Sequence, residues 1–178
     1  MSKDRKIVWM DLEMTGLNPE TDEIIEIATL ITDSELNIIA EGPELIINQP
    51  ESRFDKMDEW NQTHHVKSGL WGNVIKSEIN IEQAQNQTLD FLKEHVGHKK
   101  SPLAGNSIWQ DRRFIVKYMP NIDEYLHYRL IDVSTIKELS ASWYKDLRYP
   151  TKKGNHRAMD DIKESVAELK FYRENVFK

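Results

Sequence analysis

The chain has 178 residues, 39% of them hydrophobic, no cysteine and a formal net charge of −6. That length supports one domain, residues 1–178, with a substantial core, and the lack of thiols excludes disulfides, zinc-thiolate sites and thiol catalysis. The acidic balance argues against tight, sequence-blind binding of long nucleic acid, which needs many Lys and Arg against phosphates, although bound cations reverse the local sign at a cluster of acids.

The N-terminal residues Met1 to Lys6 lead into a short apolar run that contains acids, so this end reads as neither a signal peptide nor a membrane span. A soluble, cytoplasmic protein is expected. Strands are predicted at 6–13, 23–32 and 36–47, with Asp33-Ser34-Glu35 as the turn between the last two. The first strand carries Asp11 and Glu13 in an otherwise apolar run, at a spacing that puts both side chains on one side of a sheet. Carboxylates there are costly unless neutralised, and a divalent cation held by oxygen ligands is the simplest neutraliser. The alternative is an edge strand with two solvated acids.

A helical stretch follows at about 54–67 and a longer helix at about 81–96. Pro102 to Asn106 reads as a short strand ending in a turn, and the next helix, 107–118, stops near Pro120. By helical phase Asp111 falls about 40° from Ile115, inside the apolar face of that helix. It either binds a metal or pairs with a buried partner such as Arg. Arg129 to Val133 is a strand, and Thr135-x-x-Glu138 resembles a capping box for the helix after it. Tyr149 to Asn155 is a loop, and the last helix covers about 157–175. On that helix Asp160 points to solvent, whereas Asp161 borders the apolar stripe and is the better ligand. His156 stands at or just before the helix start, where the dipole keeps imidazole neutral and able to accept a proton. A capping or solvated loop histidine is the other reading. An antiparallel meander followed by alternating helices and strands predicts an α/β domain with a mixed sheet.

Asp11-x-Glu13, Asp111 and His156-x4-Asp161 together resemble the motifs of the DEDDh 3′→5′ exonucleases, which have an RNase H-like fold. The flanks Trp9 to Leu17, Gly105 to Phe114, Tyr128-Arg129 with Asp132 to Thr135, and His156 to Ile162 resemble the oligoribonuclease branch over nearly the whole chain. The resemblance implies that Asp11, Glu13, Asp111 and Asp161 hold two divalent ions, Mg²⁺ or Mn²⁺, and that His156 takes the proton of the attacking water. The product is a 5′-mononucleotide. Arg157 stands where the tyrosine branch of the superfamily has its Tyr, so the histidine branch fits.

The resemblance also implies very short RNA as substrate. Leu17 would wedge between two bases, and Trp60, His65 and Tyr128 would stack on or line the base pockets, with Tyr128 reaching in from the second subunit of a homodimer. Ser107, Arg129, Ser134 and Thr135 would cap the 5′ phosphate. Trp60 as core, His64 rather than His65 at the site, and Ser134 as a helix cap are the alternatives. Tyr128 is a catalytic candidate by analogy as well. Rival readings are a haloacid-dehalogenase-like phosphatase with Asp11 as nucleophile, a silent nucleic-acid-binding module, and a related exonuclease that proofreads or trims tRNA.

Overall fold

The computed structural model describes residues 5–144, 147, 149 and 157–177. Strands β1 (Ile7–Met14), β2 (Ile24–Thr32), β3 (Ile38–Ile46), β4 (Leu103–Gly105) and β5 (Leu130–Asp132) form one sheet in the order β3-β2-β1-β4-β5. The β1–β2 and β2–β3 pairs are antiparallel, whereas β1–β4 and β4–β5 are parallel. The sheet is therefore mixed, as the element pattern predicts. Its central strand is β1, flanked by β2, whose nine residues are all buried.

Strand periodicity sorts β1 between two cores. Val8, Met10 and Leu12 pack with helices α3 (Ile81–His95), α4 (Ile108–Tyr118) and α5 (Pro120–Tyr125) on one face. Ile7 and Trp9 pack on the other face with α6 (Val133–Trp143) and α7 (Ala158–Asn175). Asp11 and Glu13 continue the Trp9 side, so they emerge beneath α7. Asp33 closes the β2–β3 turn by accepting from the Glu35 and Asn37 N–H groups, both at 2.8 Å, while Leu36 takes φ 68°.

Two predictions are corrected, and one boundary gains a further element. The stretch 54–67 is not one helix: a 3-10 segment, Glu51–Lys56, is followed by α1 (Glu59–Lys67) and a short α2 (Leu70–Val74). Asp58 starts α1 by accepting from the Asn61 N–H at 2.8 Å, a cap that interrupts the earlier turn. The helix predicted to stop near Pro120 does so, at Tyr118, and Pro120 then opens α5 at a first-turn position that needs no N–H donor. The cap of α6 is Asp132, which accepts from the Ser134 N–H at 3.0 Å, so Thr135 and Glu138 do not form the N-terminal box. His156 and the loop stretch 150–155 lie outside the described residues.

Candidate active site

Asp11 and Glu13 of β1 meet Asp161 from the first turn of α7, with one carboxylate oxygen of each lying within 4.8 Å of the others. Asp160 is exposed on the same turn, as helical phase predicts. Asp111 stands outside that three-acid group. It is buried on α4 and accepts the Leu12 N–H at 3.0 Å, which pins it beside the backbone between Asp11 and Glu13. Its buried partner is thus the main chain of β1 rather than an arginine.

Proton affinity records the crowding. Burial, then the charges of Asp161, Glu26 and Asp111, push Glu13 up to about 8, opposed by the Arg157 guanidinium. Burial raises Asp111 to about 7, against the stabilising Leu12 N–H. A hard cation reverses both effects, and a set made only of carboxylates matches Mg²⁺ or Mn²⁺ chemistry. The acids present therefore fit a divalent metal centre.

The start of α7 is held from beneath. Glu26 on β2 is fully buried and faces Glu13 across the β1–β2 ladder. It accepts from Arg157 Nε at 3.0 Å and Nη2 at 2.7 Å, and from the Ala158 N–H at 3.3 Å. Arg157 also reaches Glu44 on β3 at 2.9 Å. This clasp fixes the turn that presents Asp161 and adjoins His156 in sequence. Neither Glu26 nor Arg157 is singled out by the sequence as a site residue, since the two are 131 positions apart.

The proposed substrate contacts fall into three groups. Leu17 is 69% exposed on a braced loop. Its carbonyl accepts from Gln110 at 2.5 Å, and Asp22 holds the Asn18 N–H at 2.9 Å. A Cβ at Gly16 would stand 2.6 Å from the Asp22 carboxylate, so a larger residue there would push Asp22 off the Asn18 N–H. On α1, Trp60 is exposed rather than core and stacks on His64 with centroids 3.8 Å apart. His65 is buried, with Nε2 2.9 Å from the Met14 carbonyl at the end of β1. Of the two histidines, His65 adjoins the acidic strand and His64 lies against Trp60.

Ser107 and Ser134 converge, their hydroxyl oxygens 3.2 Å apart, at the C-terminal ends of β4 and β5. Thr135 follows, exposed, in the first turn of α6. Tyr128 and Arg129 instead precede β5. Tyr128 is 75% exposed, stacked on His127 at 4.5 Å, with the Arg129 guanidinium 5.6 Å from its ring. β5 lies between this pair and Ser134 and Thr135 along the chain.

The fold and this acidic centre define a nuclease of the RNase H-like class. The exonuclease family matches the chain over residues 8–169. Exonuclease I from Methylocaldum szegediense superposes with a TM-score of 0.72 at 15% identity, covering 98% of this chain and 41% of that one. The metal-free form of the E. coli exonuclease I–ssDNA complex gives 0.73 at 15% identity, covering 97% and 40%. This chain thus spans about two fifths of those proteins, and at such identity the likeness is one of fold. The oligoribonuclease of Vibrio cholerae serotype O1 (strain ATCC 39541 / Classical Ogawa 395 / O395) is 57% identical over 176 residues, 98% of this chain and 97% of its own. That of Pseudomonas savastanoi pv. phaseolicola is 52% identical over 179 residues, 100% and 99%. The chain belongs to the exonuclease family and, within it, to the oligoribonucleases. This membership sets aside the phosphatase reading of Asp11-x-Glu13 and the silent binding module.

Proposed function

We propose that this chain is one exonuclease domain that removes 5′-mononucleotides from the 3′ end of very short RNAs, down to dinucleotides, in the cytoplasm. The observation that carries the reading is the meeting of Asp11, Glu13 and Asp161, flanked by Asp111, within a chain that matches oligoribonucleases end to end.

Asp11, Glu13 and Asp161, with Asp111 beside them, would hold two divalent ions, which when bound supply charge neutralisation at the phosphodiester and a more acidic water. The chain's own groups do the rest. His156 accepts the proton of the attacking water. Glu26 and Arg157 keep Asp161 and the approach to His156 in place from below. Leu17 stands on a rigid loop, where an exposed apolar side chain can insert between two bases at little ordering cost. Trp60 and His64 already form a stack that a base can extend, and His65 stiffens the end of β1 through Met14. Such contacts suit any base, because every base has a π-face.

The exposure of Tyr128, which stands ahead of β5 with three quarters of its surface uncovered, supports a homodimer in which it is lent to the partner's site. Tyr128 is then a substrate contact and not a second base. A mass measurement by light scattering at micromolar protein should give twice the 20.9 kDa chain.

The test of substrate is a length series. RNAs of two to seven nucleotides, a long RNA and a matched DNA are incubated with and without Mn²⁺. Metal-dependent loss of 3′ nucleotides, fastest on the dinucleotide, is expected. Equal or faster cleavage of long strands would keep the chemistry and reject the short-RNA reading in favour of proofreading or trimming. His156→Ala should lower turnover by about 10²–10⁴-fold while leaving metal-induced thermal stabilisation intact; unchanged turnover removes His156 from the base role.

A further inference from the structure

A hydrogen-bond chain joins the two halves of the site, and its proton directions are fixed by chemistry. Glu168 on α7 is almost fully buried, and Asn106 Nδ2 lies 3.1 Å from its carboxylate. A carboxylate only accepts, so the nitrogen of the Asn106 amide must face it. The other hydrogen of that nitrogen goes to Ser165 Oγ at 2.8 Å, and Ser165 in turn donates to the Asp161 carbonyl at 2.8 Å. The Asn106 oxygen therefore faces Ser134, whose hydroxyl donates to it at 3.1 Å. With its one hydrogen committed, Ser134 Oγ can only accept from Ser107, from the N–H at 3.0 Å and from the hydroxyl at 3.2 Å.

The Ser107 hydroxyl is the free-swinging end of this chain. Turning its hydrogen outward breaks only the last link, whereas turning that of Ser134 breaks the bond to Asn106. Ser107 is held for this purpose in a left-handed backbone, φ 50°, with its N–H also donating to Asp132 at 3.0 Å. We propose that Asn106 is a positioning residue: through Ser134 it sets the Ser107 hydroxyl as the donor to the substrate's 5′ phosphate, and through Ser165 it ties that contact to the helix bearing Asp161. The inference rests on the short-RNA reading of the site.

The test compares the 5′-phosphorylated dinucleotide pApA with its 5′-hydroxyl counterpart ApA. Asn106→Ala should raise KM for pApA about tenfold, the worth of one hydrogen bond to a charged group, and lower kcat by less than about threefold. KM for ApA should change far less. Because Asn106 and Ser107 lie on one chain, Asn106→Ala in a Ser107→Ala background should add almost nothing. Ser165→Ala, which loosens Asn106 from the other side, should shift KM for pApA in the same direction by a smaller factor, and it serves if Asn106→Ala fails to fold. A wild-type protein indifferent to the 5′ phosphate overturns the clamp itself. A wild-type preference retained in Asn106→Ala and Ser165→Ala, or additive effects with Ser107→Ala, overturns the role of Asn106 alone. A kcat loss shared equally by both dinucleotides does the same, since it assigns Asn106 to the metal helix and not to the phosphate.

Discussion

Glu13→Gln is expected to abolish turnover, by about 10³-fold or more, and at the same time to make the metal-free protein harder to melt. Loss of a ligand removes charge from the centre that binds the ions. The gain in stability has a separate cause. Burial first, and then the charges of Asp161, Glu26 and Asp111, raise the proton affinity of Glu13 from 4.5 to about 8. An acid whose folded pKa exceeds its unfolded value stabilises the fold fully below the unfolded pKa, and that contribution is lost as pH rises through the folded one. Metal-free protein should therefore lose stability between about pH 4.5 and 8 as Glu13 is forced to ionise. Asp111, raised from 3.8 to about 7, adds a loss of the same sign over a lower window. Glutamine carries no proton to lose, so Glu13→Gln should flatten the upper part of that slope. At pH 8 its melting temperature should exceed the parent's by a few degrees, about 2–4 °C for each kcal/mol in a chain of this size. Mg²⁺ should raise the parent's melting temperature and leave the variant's almost unchanged. A variant less stable than the parent at pH 8 without metal would show that burying an ionised Glu13 among these acids does not weaken the metal-free fold.

Arg157→Met is expected to be the most damaging single change to the fold. It leaves the Glu26 carboxylate, fully buried on the interior strand β2, without the guanidinium that holds it at 2.7 Å. Stranding a buried charge costs about 3–5 kcal/mol, which corresponds to a fall in melting temperature on the order of 10 °C here. Glu26→Gln with Arg157→Met removes both charges and should recover much of that loss, because the desolvation penalty disappears with the pair. Activity should not recover in parallel, since the first turn of α7 has lost its anchor and Asp161 its fixed position. Urea unfolding of the two variants separates these effects. Equal stability of the single and double variants would mean that Glu26 is not stranded when Arg157 is lost.

The parts of the site that obey a local period are legible in the sequence. The spacing of Asp11 and Glu13 on a strand, and the phase of Asp111 and Asp161 on their helices, place all four acids with no knowledge of the fold. What the sequence hides is long-range pairing. Arg157 looks like a residue that merely follows His156, and only the antiparallel register that brings Glu26 opposite Glu13 shows why it is charged. Asn106 reads as a turn residue after a short strand, yet its amide bonds two side chains 59 and 62 positions away. Local signals also misled where two residues competed for one task. Thr135 with Glu138 has the form of a cap, but Asp132 stands three residues earlier at the end of β5 and takes the orphan N–H of Ser134 first. Pro120 ends one helix and begins another, because the same missing N–H serves both. The break at Asp58 was written in the sequence as a capping residue inside a stretch otherwise read as one helix.

The placement of Tyr128 and Arg129 before β5, with Ser107 and Ser134 beyond its end, has a consequence for mixtures of damaged chains. Under the composite-site reading each catalytic centre is assembled from two polypeptides. A chain crippled at Asp161 and a chain crippled at Tyr128 are then both inert as pure species. Co-folded, they form hybrids in which one centre inherits both lesions and the other inherits neither. Random pairing puts half the molecules in that hybrid form, so about a quarter of all centres should return to full competence. Two dead proteins, mixed, would rescue one another.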